Sequence, residues 1–129
     1  MPSKRLNASL AWGAQLIAAA ILGTASYSKL SGMADSVALF TLLGVEPWGR
    51  IAVGALEAVA TLLILWPGSA ILGAALGALL MFGAIGTHIF KIGVRYGDNP
   101  DLFIMAWIVL LMCLATAWFR GRLEKVSEG

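Results

Sequence analysis

Three side chains able to handle a proton or hold a polar ligand stand inside otherwise apolar stretches of this chain: Lys29, Glu57 and His88. Glu57 is the most informative. It lies eight residues into an apolar run that opens near Gly49, about 12 Å along a helix that rises 1.5 Å per residue. A bare carboxylate at that depth is costly, so it must be protonated or paired. Its helical-wheel neighbours are Arg50, Gly54, Thr61 and Ile64, a small and polar stripe that belongs against other helices and away from lipid. Two readings follow: Glu57 binds a ligand or handles a proton, or it belongs to a buried pair that fixes helix register.

His88 is the sole histidine. Its stripe runs back through Ala84, Met81, Gly77 and Gly73, and the Gly73-x-x-x-Gly77 spacing permits close backbone contact, so the stripe is expected inside. A hydrogen bond to Glu57, to a backbone carbonyl or to a ligand is its expected role. One histidine cannot build a bis-histidine haem site, and one imidazole with one carboxylate falls short of an ordinary metal shell, so no metal is expected. Lys29 closes the first apolar run, where its ammonium either snorkels to the head groups or turns inward to oppose Glu57. Tyr27 offers a hydroxyl nearby. No nucleophile motif or phosphate-binding loop is present, and the single cysteine, Cys113, excludes an internal disulfide and Cys-x-x-Cys chemistry.

The elements that position these residues follow from composition. Of 129 residues 60% are hydrophobic and 12% charged, with a mean hydropathy of +0.87, whereas soluble domains are about 45–50% apolar and about 25% charged. Too little polar surface remains to solvate a globule, and lipid is the solvent that fits. The net charge of +2 sits as single or paired basic residues beside apolar runs. That pattern anchors helices at a membrane surface and does not indicate a nucleic-acid partner.

Four runs approach the roughly 20 residues needed to cross the hydrocarbon: 8–28, 49–66, 69–92 and 101–119. The fold class expected is therefore an all-α membrane protein, a four-transmembrane-helix bundle in a single domain over residues 1–129. Trp66-Pro67-Gly68-Ser69 reads as a tight turn in which Ser69 caps the next helix, and Gly97-Asp98-Asn99-Pro100-Asp101 as a second break. Between helices one and two, Met33, Val37, Phe40 and Leu43 recur at helical spacing, which predicts a short helix in the membrane interface. The run from Ala8 to Ala25 exceeds a signal-peptide core and lacks a clean small-x-small site after it, so a retained helix is expected. Trp12, Trp48, Trp66 and Trp118 fall near helix ends, as interfacial indoles do, and Met81, Met105 and Met112 read as packing residues.

Helix one leaves the membrane where helix two enters and helix three leaves. Tyr27, Lys29, Glu57 and His88 therefore share one half of the bilayer. The other half is mostly aliphatic, with Gln15 as its strong polar side chain and Cys113 and Thr116 as weak ones. A one-sided acid, base and hydroxyl describe a half-open pocket better than a through-channel. Lys4, Arg5, Arg120, Arg122 and Lys125 outnumber the basic residues of the other side by one, which places both termini in the cytoplasm. Ile21-Leu22-Gly23-Thr24 and Ala84-Ile85-Gly86-Thr87 form a faint repeat whose onward spacing differs by one residue, and it reads as the shared composition of Gly/Ala-rich helices.

These pieces, in order, resemble the DoxX-like family of small four-helix membrane proteins. The resemblance rests on Ser28-Lys29-Leu30-Ser31-Gly32, then Leu43-Gly44-Val45-Glu46-Pro47, then Gly54-Ala55-Leu56-Glu57, then Gly86-Thr87-His88, and spans roughly residues 12–118. It implies a bacterial or archaeal cell membrane. The family takes its name from a subunit of an archaeal thiosulfate:quinone oxidoreductase, and other relatives are linked to membrane oxidoreductase complexes, oxidative stress and sulfur metabolism. Lys29, Gly44, Pro47, Gly54, Glu57 and His88 match the family pattern, which assigns no catalytic roles. With no cysteine pair, thiol redox chemistry does not carry over to this chain alone.

Three functions are therefore expected in descending order. The first is a membrane subunit or anchor, not an enzyme on its own, that binds a quinone or other apolar ligand for a redox partner through Glu57, His88, Lys29 and Tyr27. The second is a structural or assembly protein, in which the polar cluster only staples helices and Gly54, Gly73 and Gly77 serve packing. The third is a small proton-coupled transporter, which requires polar residues reaching both sides or a pore formed by a homo-oligomer.

Overall fold

The computed structural model describes residues 3–96 and 100–128. Among them are five α-helices and no strand: α1 (Lys4–Leu30), α2 (Ala34–Leu42), α3 (Trp48–Leu65), α4 (Ala70–Thr87) and α5 (Asp101–Glu128). Four of these stretches are long and apolar enough to cross a membrane. Between 28% and 39% of each such stretch is buried within the protein. The rest of each apolar helix is half-buried or exposed, an arrangement that lipid accommodates and water does not.

The helix boundaries have local causes. Ser3 caps α1, its Oγ accepting the Leu6 N–H at 3.1 Å, so this helix opens four residues before the sequence-based start. The α3–α4 turn lies where Pro67 and Gly68 place it, as a 3₁₀ turn over Pro67–Ser69. Ser69 does not cap α4. Its hydroxyl instead donates back to the Leu63 carbonyl at 2.9 Å and stitches the turn to the helix it leaves. After Thr87 the chain continues as a π-helical turn, His88–Ile92, and ends on Gly93 at φ 86°. Residues 97–99 of the expected second break lie outside the described residues, and α5 opens at Asp101 as anticipated. It runs well past the expected end at Phe119, because Arg120 and Arg122 each lay a guanidinium over an indole, of Trp12 and Trp118 respectively.

The short helix expected between the first two spans is α2. It is tied at its start by a 2.7 Å hydrogen bond between the Ser28 and Ser36 hydroxyls, and Gly32 and Gly44, both at positive φ, flank it. Beyond its end Arg50 Nε lies 2.9 Å from both oxygens of Glu46, and Arg50 Nη1 donates to the Lys29 carbonyl.

In the bundle α1 packs on α3 and α5, and α4 packs on the same two helices. The four long helices close a ring with α1 and α4 on one diagonal. Leu22, Ile64, Val109 and Cys113 are fully buried at its centre. Glycine makes this closeness workable. A Cβ at Gly73 would fall 2.6 Å from the Ile64 nitrogen, and one at Gly77 2.8 Å from Cys113 Sγ. The half of the bundle near the α3–α4 turn is therefore tightly closed.

Gly73→Ala is expected to destabilise the protein by about 1–3 kcal/mol, since the added methyl meets backbone that cannot yield. Gly83→Ala, where nothing lies within 4 Å, is expected to leave stability unchanged or slightly raised. Thermal unfolding of both variants in detergent compares them directly.

Candidate functional site

The opposite half of the bundle is open. A cavity of about 400 Å³, within the range of roughly 300–1,000 Å³ typical of small-molecule sites, lies between all five helices. Its walls are mainly aliphatic, and its polar side chains include Lys29, Glu57 and His88. Phe40 and Leu43 of the α2 region cover one end. Leu79 and Gly83 of α4, with Leu102 and Met105 of α5, form a rim, being part of the lining and themselves exposed. Leu79 stands midway along α4, nine residues before His88, so the cavity extends about 13 Å along the helix axis. It reaches the outer surface midway along an apolar helix long enough to cross a membrane.

Each polar group is positioned by a specific backbone feature. Glu57 is 3% exposed, and its Oε1 stands 3.0 Å from Lys29 Nζ. No better-aligned hydrogen-bond donor serves that oxygen among the described residues. The pair forms because α1 and α3 approach closely at Gly54, where a Cβ would lie 3.0 Å from Lys29 Cβ and 3.1 Å from Leu30. Ser26 fixes this crossing by donating to the Gly54 carbonyl at 2.7 Å. Of the two readings open for Lys29, the inward one matches the geometry. Arg50, expected on the Glu57 stripe, is engaged with Glu46 and the Lys29 carbonyl. Thr61 turns its hydroxyl onto the Glu57 carbonyl at 2.8 Å.

His88 is 5% exposed. Its Nδ1 lies 3.1 Å from the Gly93 carbonyl, and its ring meets Phe103 edge-on at 5.7 Å between centroids. The π-helical turn and the positive φ of Gly93 bring that carbonyl back onto the ring. Tyr27 is placed elsewhere. It is 69% exposed and is not part of the cavity wall. Residues 27 and 29 point about 200° apart on an α-helix, so an inward Lys29 sends Tyr27 outward.

A second polar cluster, outside the sequence-based expectation, occupies the closed end. Gln15 is fully buried. It donates to the Ile64 carbonyl at 2.7 Å and accepts from Arg120 Nε at 2.6 Å. Asn7, one more member of the Asn7–Ala11–Gln15 stripe, is buried as well. The spacing of Asn7 and Gln15 at i and i+8 was the available signal for this cluster. Arg120 lies beyond the span that hydropathy alone delimits. Among the described residues no group of three or more His, Cys, Asp or Glu side chains lies together as a metal site would need.

A family model described as the DoxX-like family matches residues 13–117, most of the chain. No curated protein and no solved structure matches the chain significantly.

Removing one member of the Lys29–Glu57 pair leaves an uncompensated buried charge, so Lys29→Met is expected to cost about 3 kcal/mol. Lys29→Met combined with Glu57→Leu is expected to recover most of that loss. A double-mutant cycle on thermal stability in detergent measures the coupling.

Proposed function

The chain belongs to the DoxX-like family and is an integral membrane protein; on that footing we propose that its cavity binds a small lipid-soluble molecule of the quinone type. In this reading the protein is a membrane subunit or anchor of an oxidoreductase system. One observation carries it: three ionisable side chains from three helical segments, two of them paired at 3.0 Å, line one cavity whose other walls are mainly apolar. A ring bearing polar substituents fits that distribution. Its oxygens meet Lys29, Glu57 and His88, its ring lies among Leu22, Ala84 and Val109, and its tail leaves over the rim into lipid. Predominantly apolar walls with a few convergent polar groups are the usual form of such a site.

The donor set agrees with this class of ligand. Lys29 supplies N–H donors to a ligand oxygen. Glu57, whose Oε1 is held by Lys29 at 3.0 Å, is part of the same wall, and its carboxylate can share a ligand hydroxyl with that ammonium. Ligation of an ion is a poorer match, because one imidazole and one already paired carboxylate offer few free ligands.

The alternative, a structural or assembly protein without a ligand, draws on the same ion pair, which already gives Glu57 a partner at 3.0 Å. The two readings differ in what fills the cavity. Under the ligand reading, lipid extracts of the purified protein contain a quinone. A short-tailed quinone added at about 100 times its Kd then stabilises the fold by about 2.7 kcal/mol, visible as a rise in Tm. Ala25→Phe, which adds a ring to the cavity wall and replaces none of its polar groups, is expected to abolish that rise. Absence of both bound quinone and a Tm response would leave the assembly reading standing.

A further inference from the structure

We infer that this site selects the hydroxyl-bearing, reduced form of a quinone-type ligand over its carbonyl form. The inference rests on the reading of the cavity as a quinone-type site, and it follows from which atoms there donate and which accept.

A backbone carbonyl only accepts, so the 3.1 Å contact between His88 Nδ1 and the Gly93 oxygen fixes the proton on Nδ1. In the neutral imidazole Nε2 is then left as a lone-pair acceptor. No described residue bonds Nε2, and His88 is part of the cavity wall. Gly93 is the reason the tautomer is set. At φ 86° it folds its carbonyl back against the ring that begins the π-helical turn, a conformation that side-chain-bearing residues rarely adopt. Phe103, edge-on at 5.7 Å, restrains the ring plane.

Glu57 adds to the same bias. Held 3.0 Å from the Lys29 ammonium, its carboxylate accepts and does not donate. The cavity wall thus presents two acceptors, His88 Nε2 and the Glu57 carboxylate, against one donor group, the Lys29 ammonium. A quinone carbonyl has only lone pairs to offer. It satisfies Lys29 and sets its oxygen against the lone pairs of the other two. A hydroquinone hydroxyl accepts from Lys29 and also donates to His88 or Glu57. A buried acceptor left unpaired in one complex and paired in the other is the strongest source of discrimination between such close analogues.

The test uses the full-length protein in detergent and a benzoquinone with a short alkyl tail, together with its hydroquinone held reduced under argon. Affinities are read from quenching of intrinsic tryptophan fluorescence. The hydroquinone is expected to bind at least about tenfold more tightly, the ratio for one net hydrogen bond. In His88→Phe, which keeps an aromatic ring against Phe103 but offers no acceptor, the ratio is expected to fall by at least about threefold, the Glu57 carboxylate carrying what remains. Gly93→Ala, which leaves the histidine in place but disturbs the carbonyl that sets its tautomer, is expected to lower the ratio as well, a change that loss of packing alone would not produce. Equal affinities in the wild-type protein, or tighter binding of the quinone, would overturn the selectivity and leave the site standing. Failure of either form to bind would overturn both.

Discussion

An acid inside an oily bundle needs a cation within reach, and in this protein that need organises one half of the molecule. Glu57 and Lys29 meet at 3.0 Å, which requires α1 and α3 to cross closely. The crossing requires Gly54, since a side chain there would strike Lys29 and Leu30. Ser26 locks the same point through the Gly54 carbonyl. Arg50 then takes the Lys29 carbonyl and Glu46 together, so the segment leading out of α2 is fixed by the residues that follow from the pair. Ion pairs of this sort contribute little net stability compared with an apolar replacement, and their value lies more in specifying one arrangement.

The two ends of the bundle solve different problems. Near the α3–α4 turn, Gly73 and Gly77 allow backbone to touch backbone, and Leu22, Ile64, Val109 and Cys113 fill the space between. Gln15 and Arg120 supply the polar contacts there, with the Gln15 amide occupying the Ile64 carbonyl near the end of α3. At the other end the helices enclose a cavity of about 400 Å³, with α2 across its end. The asymmetry follows from where small residues stand. A Cβ at Gly83 of α4, part of the cavity wall, would meet nothing within 4 Å, whereas the space beside Gly73 and Gly77 is filled by their partners.

Much of this was legible in the sequence, for a simple reason. Ionisable residues are costly in hydrocarbon, so Lys29, Glu57 and His88 stand out against their surroundings, and alternating helix direction places them in one half. Hydropathy located the four spans and the periodicity of Met33, Val37, Phe40 and Leu43 located α2. What could not be read depends on rotation and on partners distant in sequence. Tyr27 differs from Lys29 by two positions, and which of the two turns inward is decided by the α1–α3 crossing. Arg120 lies past the last apolar residue of its run, and its membership of a buried cluster depends on Gln15, 105 positions away. The cavity reflects how far helices separate, and no residue type encodes that on its own.

The contrast between a pinned end and a roomy one resembles a spring-loaded peg. Because Gly73 and Gly77 leave no slack at the closed end, any widening of the cavity for a guest of the proposed kind would fall on a single leaflet's side. The cross-section of the protein would then grow in that leaflet alone, and lateral pressure there would oppose the spreading. On the proposed reading, the crowding of acyl chains around one rim would then be a physical variable bearing on how readily the cavity is filled.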